Sequence, residues 1–98
     1  MTYDMAHQRI SALANKIGAK YIDTGFWEIS AKRAATLCSG KLPRHGYEKF
    51  AEVDGLKLVV TRTRILDRQT LQDYRMVWAM RLDIRGLVHD RFPLNVRW

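Results

Sequence analysis

Between Tyr74 and Arg85 the chain alternates strictly. Tyr74, Met76, Trp78, Met80, Leu82 and Ile84 take the even positions, and Arg75, Val77, Ala79, Arg81, Asp83 and Arg85 the odd ones. Side chains of a strand point to opposite faces with period two, so the segment predicts a long half-buried β-strand over 74–85. One face is large and apolar and the other is mainly basic.

A hairpin is predicted upstream. Asp54-Gly55 is a favoured two-residue turn, and counting outward from it sets Val53 against Leu56, Glu52 against Lys57, Ala51 against Leu58 and Phe50 against Val59. The apolar pattern and the Glu52–Lys57 charge pair agree on this register. The second strand runs on through Thr61, Arg62, Thr63 and Arg64. Residues 65–73 read as a loop, from which 74–85 returns antiparallel. Leu87 to Phe92 reads as a further strand ended by Pro93, with the tail Leu94–Trp98 docking on the body.

The first part of the chain has helical periodicity instead. Ile10, Leu13, Ala14 and Ile17 follow the spacing of one helix face within 4–18, with Asp4 as the expected N-cap and Gly18 as the stop. Trp27, Ala31, Ala34, Ala35 and Cys38 share a second helical face, with Asp23, Thr24 or Ser30 as its start. A start at Ser30 leaves Lys20–Ile29 extended. The run SGKLPRHG, residues 39–46, breaks regular structure and joins the two halves. The expected fold is α+β, a single compact domain of residues 1–98. Two N-terminal helices would pack on one face of a three- to four-stranded antiparallel sheet. That face would carry Ala51, Val53, Leu56, Leu58, Val60 and the even residues of 74–84.

Composition sharpens this picture. With 98 residues, 47% hydrophobic and 28% charged, the chain is of ordinary globular type. No apolar run approaches the roughly 20 residues of a membrane span. The segment MTYDMAHQRI lacks the apolar stretch of a secretory signal, and Cys38 is the lone cysteine, so a cytoplasmic setting is expected.

Charge carries more information. Seventeen Lys and Arg, eleven of them Arg, against ten acids give a net charge of +7. Such a balance attracts polyanions, and the guanidinium fork suits phosphate. Three basic groups are the candidate contacts. The first is the densest basic window, with Lys41, Arg44, His45 and Lys49. The second is Arg62 and Arg64, which share the Leu58/Val60 face and either emerge beyond the core edge or are turned by a bulge. The third is Arg75, Arg81 and Arg85, around Phe50, Val59, Val77 and Ala79 on the outer sheet face with Lys57, Thr61 and Thr63. That face is either a nucleic-acid platform, for which only Phe50 offers a stacking ring, a protein interface, or a surface covered by Leu94, Val96 and Trp98 of the tail; the tail reading is preferred, because a tail tryptophan is expected to pack.

Catalytic signals are weak. The 39–46 loop lacks the spacing of a phosphate loop, with Leu42 where a hydroxyl belongs. His7, His45 and His89 form no ligand spacing, no acidic pair stands out as an acid–base couple, and neither metal nor cofactor is expected. The function expected first is a small, basic, non-catalytic nucleic-acid-binding module. The alternative is a phage or mobile-element interaction protein that inhibits a larger machine, such as an anti-defence inhibitor with a protein or ribonucleoprotein partner. A small ribonuclease toxin using His45, Tyr47, Lys41 and Arg44 comes third.

Overall fold

Two Gly-containing turns organise the sheet. Thr24-Gly25 and Asp54-Gly55 both take positive φ at each residue (47° and 86°, 52° and 79°), the conformation that lets a two-residue turn follow the twist of its strands. The computed structural model describes residues 1–66, 69–71 and 73–87. In chain order these form α1 (Tyr3–Ile17), β1 (Lys20–Asp23), β2 (Phe26–Ile29), α2 (Ala31–Leu37), β3 (Glu48–Val53), β4 (Leu56–Leu66) and β5 (Tyr74–Leu82). The strands make one five-stranded antiparallel sheet in the order β1-β2-β5-β4-β3.

The α+β class and the antiparallel sheet agree with expectation, but the sheet has five strands rather than three or four. A whole hairpin, β1–β2, lies between the two helices. Trp27, expected on a helix face, belongs to β2 and pairs with Met80 of β5. The reason is local: the Thr24-Gly25 turn commits Tyr21 and Trp27 to face each other across a hairpin, where their rings meet edge-on at 4.9 Å. Ser30 then caps α2, its hydroxyl accepting from the Arg33 amide at 3.2 Å.

At α1, Thr2 rather than Asp4 is the N-cap, because its hydroxyl accepts from the Met5 amide at 3.2 Å. Asp4 instead lies in the first turn, where a carboxylate complements the helix dipole. Gly18 ends the helix in the left-handed region, as expected, donating to the Ala14 and Asn15 carbonyls.

The β3–β4 register matches the counted one at every pair. Its inward residues meet both helices: Leu56, Leu58, Val60, Met80 and Leu82 form the core with Ala6, Ile10 and Ala14 of α1 and with Ala34 and Cys38. Ala51, Val53 and Trp78 pack at its margin. Each fully buried aliphatic side chain here contributes about 1.5–3 kcal/mol.

The even face of 74–85 is a core face only in its middle. Tyr74 and Ile84 are exposed, and the strand stops at Leu82. Just beyond it the Asp83 amide still donates to the Lys57 carbonyl of β4 at 3.0 Å, and the chain then turns: the Asp83 carboxylate accepts from the Arg85 amide and guanidinium, and the Leu87 amide donates to the Ile84 carbonyl at 3.2 Å. The strand expected over 87–92 and the docking of the tail fall on residues 88–98, outside those described. No described helix is long and apolar enough to cross a membrane.

One feature of the sheet was not expected. The last β2 pair on β5 is Ile29–Trp78, and the last β3 pair on β4 is Glu48–Thr61. Beyond these, β4 and β5 continue as a two-stranded ribbon through Thr63–Val77, Arg64–Met76, Ile65–Arg75 and Leu66–Tyr74. Among the described residues no third strand flanks it. Four rows extend it by about 13 Å.

Candidate nucleic-acid interface

Alternation along β4 and β5 sorts the candidate cations onto two surfaces. On the outer face, away from the helices, Val59, Val77 and Ala79 are buried, as are few residues outside a core. Around them, among the described residues, Arg75, Arg81 and Arg85 each have a carboxylate. Arg75 donates from both terminal nitrogens to the two Glu28 oxygens, at 2.9 and 2.8 Å. Arg81 pairs with Glu48 and also donates to the Leu82 carbonyl. Arg85 pairs with Asp83 at 2.9 Å.

The ion pairs at Glu28 and Asp83 leave their mark on those acids. The Arg75 hydrogen bond holds Glu28 below the usual carboxylate range, although partial burial opposes it. Asp83 is pulled down to about 2, first by the Arg85 side chain, with the Arg85 amide assisting against burial. Asp83 in turn raises Arg85.

Aromatic rings interleave with these pairs. Arg85 lies over Phe50 at 4.5 Å and Arg81 over Phe26 at 5.9 Å. Phe26 is a second ring on this face that was not expected, because 20–29 read either as a helix start or, with the cap at Ser30, as one extended segment rather than a hairpin; the Thr24-Gly25 turn was the available signal. Between the β1–β2 hairpin and the ribbon this face forms a groove of about 1190 Å³ lined by Lys20, Phe26, Glu28, Thr63, Ile65 and Arg75, among others. The Arg75–Glu28 pair lies in its lining, and Arg64 and Leu66 reach its rim from the ribbon.

The helix side of the sheet differs. Arg62 and Arg64 stay on the Leu58/Val60 face without a bulge, opposite Trp78 and Met76. The Arg62 guanidinium stacks on the Trp78 ring at 4.8 Å. Lys49, opposite Val60, is on the same side of β3. It is close enough to Cys38 for its charge to act on the thiol, which burial pushes up and Lys49 pulls down. Lys41, Arg44 and His45 are exposed in the loop that leads into β3. Tyr47, at the end of that loop, accepts through its carbonyl from the Thr61 hydroxyl at 3.4 Å, which sets it beside the base of the ribbon. Among the described residues, none of Lys41, Arg44, Lys49, Arg62 and Arg64 forms an ion pair with a carboxylate.

The nine sequence candidates therefore separate. Lys49, Arg62 and Arg64 come together on the helix side, with Lys41, Arg44 and His45 in the adjoining loop. Arg75, Arg81 and Arg85 lie across the sheet, each bound to an acid. No group of three or more His, Cys, Asp or Glu side chains gathers among the described residues in a way that could hold a metal ion. In comparisons with known proteins, the chain matches no family model, no curated protein and no solved structure.

Proposed function

We propose that this chain is a non-catalytic nucleic-acid-binding module whose contact surface is the helix side of the sheet: Lys49, Arg62 and Arg64, with Lys41 and Arg44 from the adjoining loop. The observation that carries this reading is the division of charge between the two faces. Guanidinium groups already held by carboxylates must exchange one partner for another to bind phosphate, whereas those without an acid offer their donors directly. Among the described residues, the three outer-face arginines are thus each offset by an acid, whereas Lys49, Arg62 and Arg64 on the helix side are not.

Binding by such a surface weakens steeply with salt, because each phosphate neutralised releases condensed counterions. The test is fluorescence anisotropy of labelled DNA and RNA over a salt series. The expected result is measurable binding at low salt that falls log-linearly with added salt; no binding to either polymer at low salt refutes the reading.

A second reading, an interaction protein that inhibits a larger machine, draws on the outer face. Phe50 is 54% exposed beneath Arg85, and arginine with aromatic side chains is enriched at protein interfaces. Capture of a partner that survives nuclease treatment favours this reading over the first. A ribonuclease has less support: Lys41, Arg44, His45 and Tyr47 are all exposed and lack the burial that usually tunes an acid–base pair.

A further inference from the structure

The helix side of the ribbon has two lanes. On β4 lie Arg62 and Arg64, about 6.6 Å apart along the strand. On β5, opposite and beyond them, lie Trp78, Met76 and Tyr74. Strand pairing sets the lanes roughly 4.8 Å apart. One lane is cationic and the other is aromatic and apolar.

The rings are differently placed. Trp78 is partly buried at the core margin and covered by Arg62. Tyr74 is 63% exposed at the far end of the ribbon, with Leu66 opposite it at 41%. An open tyrosine at the end of a β-ribbon does no packing that the core requires, and beside a guanidinium lane it is a stacking surface.

We propose that this side of the ribbon binds single-stranded nucleic acid, with phosphates along Arg62 and Arg64 and a base stacked on Tyr74. The proposal rests on the nucleic-acid reading above and narrows it. Charge selects the polyanion, and the second lane selects the strandedness. A duplex presents phosphates outward and keeps the faces of its bases stacked on one another, so it would cover Tyr74, Met76 and Leu66 without offering them a ring. An unpaired strand exposes both a phosphate row and open base faces, and stacking on an aromatic side chain tolerates any base. A two-stranded ribbon can also enter the major groove of a duplex, but it reads base edges there through polar side chains. Arg62 and Arg64 have such groups, but Met76 beside them and Leu66 beyond them are apolar, and the exposed Tyr74 ring meets no open base face in a duplex.

The test is anisotropy titration of a fluorescein-labelled oligothymidine, and of the same strand annealed to oligoadenine, in about 50 mM salt, a range where phosphate contacts dominate. The single strand is expected to bind more tightly than the duplex. Tyr74→Ala should weaken single-strand binding about fivefold or more, the effect of losing one stacked base, while Tyr74→Phe retains it. Arg64→Ala should reduce the slope of log affinity against log salt by about 0.7, one phosphate contact on a single strand. Phe50→Ala, on the opposite face, should change neither. Salt-dependent binding that is as tight to the duplex, or that is unaffected by Tyr74→Ala, overturns this proposal and leaves the broader reading standing. No binding of either oligonucleotide overturns both. Circular dichroism confirms that each variant is folded, which is expected because Tyr74 and Arg64 are exposed.

Discussion

Replacing Asp83 by Asn separates charge from shape at the end of β5. The carboxylate side chain is 10% exposed, while its partner Arg85 is 71% exposed. Asn retains an oxygen to accept from the Arg85 amide but loses the ionic part of the contact. The depression of Asp83 from 3.8 to about 2 sets the scale. At about 1.36 kcal/mol per tenfold change, it corresponds to at most about 2.4 kcal/mol at neutral pH. Water around the Arg85 head screens the pair and brings the expected value to about 1 kcal/mol.

The sign follows from linkage. A carboxyl depressed in the folded state stabilises that state above its unfolded pKa of 3.8, and the contribution is lost as pH falls toward about 2. Urea denaturation of both proteins at pH 7, 4 and 2 provides the assay. The variant should be less stable by about 1 kcal/mol at pH 7, with the gap closing to a few tenths at pH 2. A gap that stays constant across this range would mean that Asp83 acts through shape or packing, and the electrostatic account would be wrong.

Other perturbations address other levels. Leu58→Ala removes a side chain with no exposed surface and should cost about 2–5 kcal/mol in urea denaturation. Gly55→Ala places a Cβ at a φ of 79°, in open space but in a strained backbone region, and should cost about 1 kcal/mol, read as a lower melting temperature. Glu28→Gln removes the acid that holds Arg75. Because Arg75 is half exposed, global stability should fall by less than about 1 kcal/mol. Amide exchange in residues 74–77 should nevertheless quicken, since this pair ties the ribbon to β2.

The legible parts of the sequence were those where two local signals agreed. Asp54-Gly55 and the Glu52–Lys57 pair fixed one hairpin to the residue, and Ile10 with Ala14 marked the buried stripe of α1. The β1–β2 hairpin was obscured because its four-residue strands are too short to show an alternation, and Trp27 happens to fall at helical spacing from Ala31 and Ala34. The end of β5 was also hidden. Asp83 and Ile84 continue the alternating pattern, so the strand reads past its true end at Leu82, although the turn at Arg85-Gly86 was legible from its glycine and is present, with Gly86 at a φ of 79°.

For the candidate site, residue type was readable but partnership was not. Arg75, Arg81 and Arg85 look as available in sequence as Arg62 and Arg64. Their acids, Glu28, Glu48 and Asp83, come from β2, β3 and the end of β5 respectively, so two of the three pairings depend on strand order. The open position of Tyr74 was equally hidden, since a tyrosine in an apolar lane reads as core until the lengths of the neighbouring strands are known.

The unflanked ribbon also bears on how copies of this chain behave together. Among the described residues, both of its edges are left without a neighbouring strand, and a bare strand edge is a template for pairing with another chain. Arg62 and Arg64 place like charges along that short arm, so two arms approaching edge to edge repel one another. The cations that would attract a polyanion therefore also guard against self-association. Removing them together should cost solubility even if the fold were untouched.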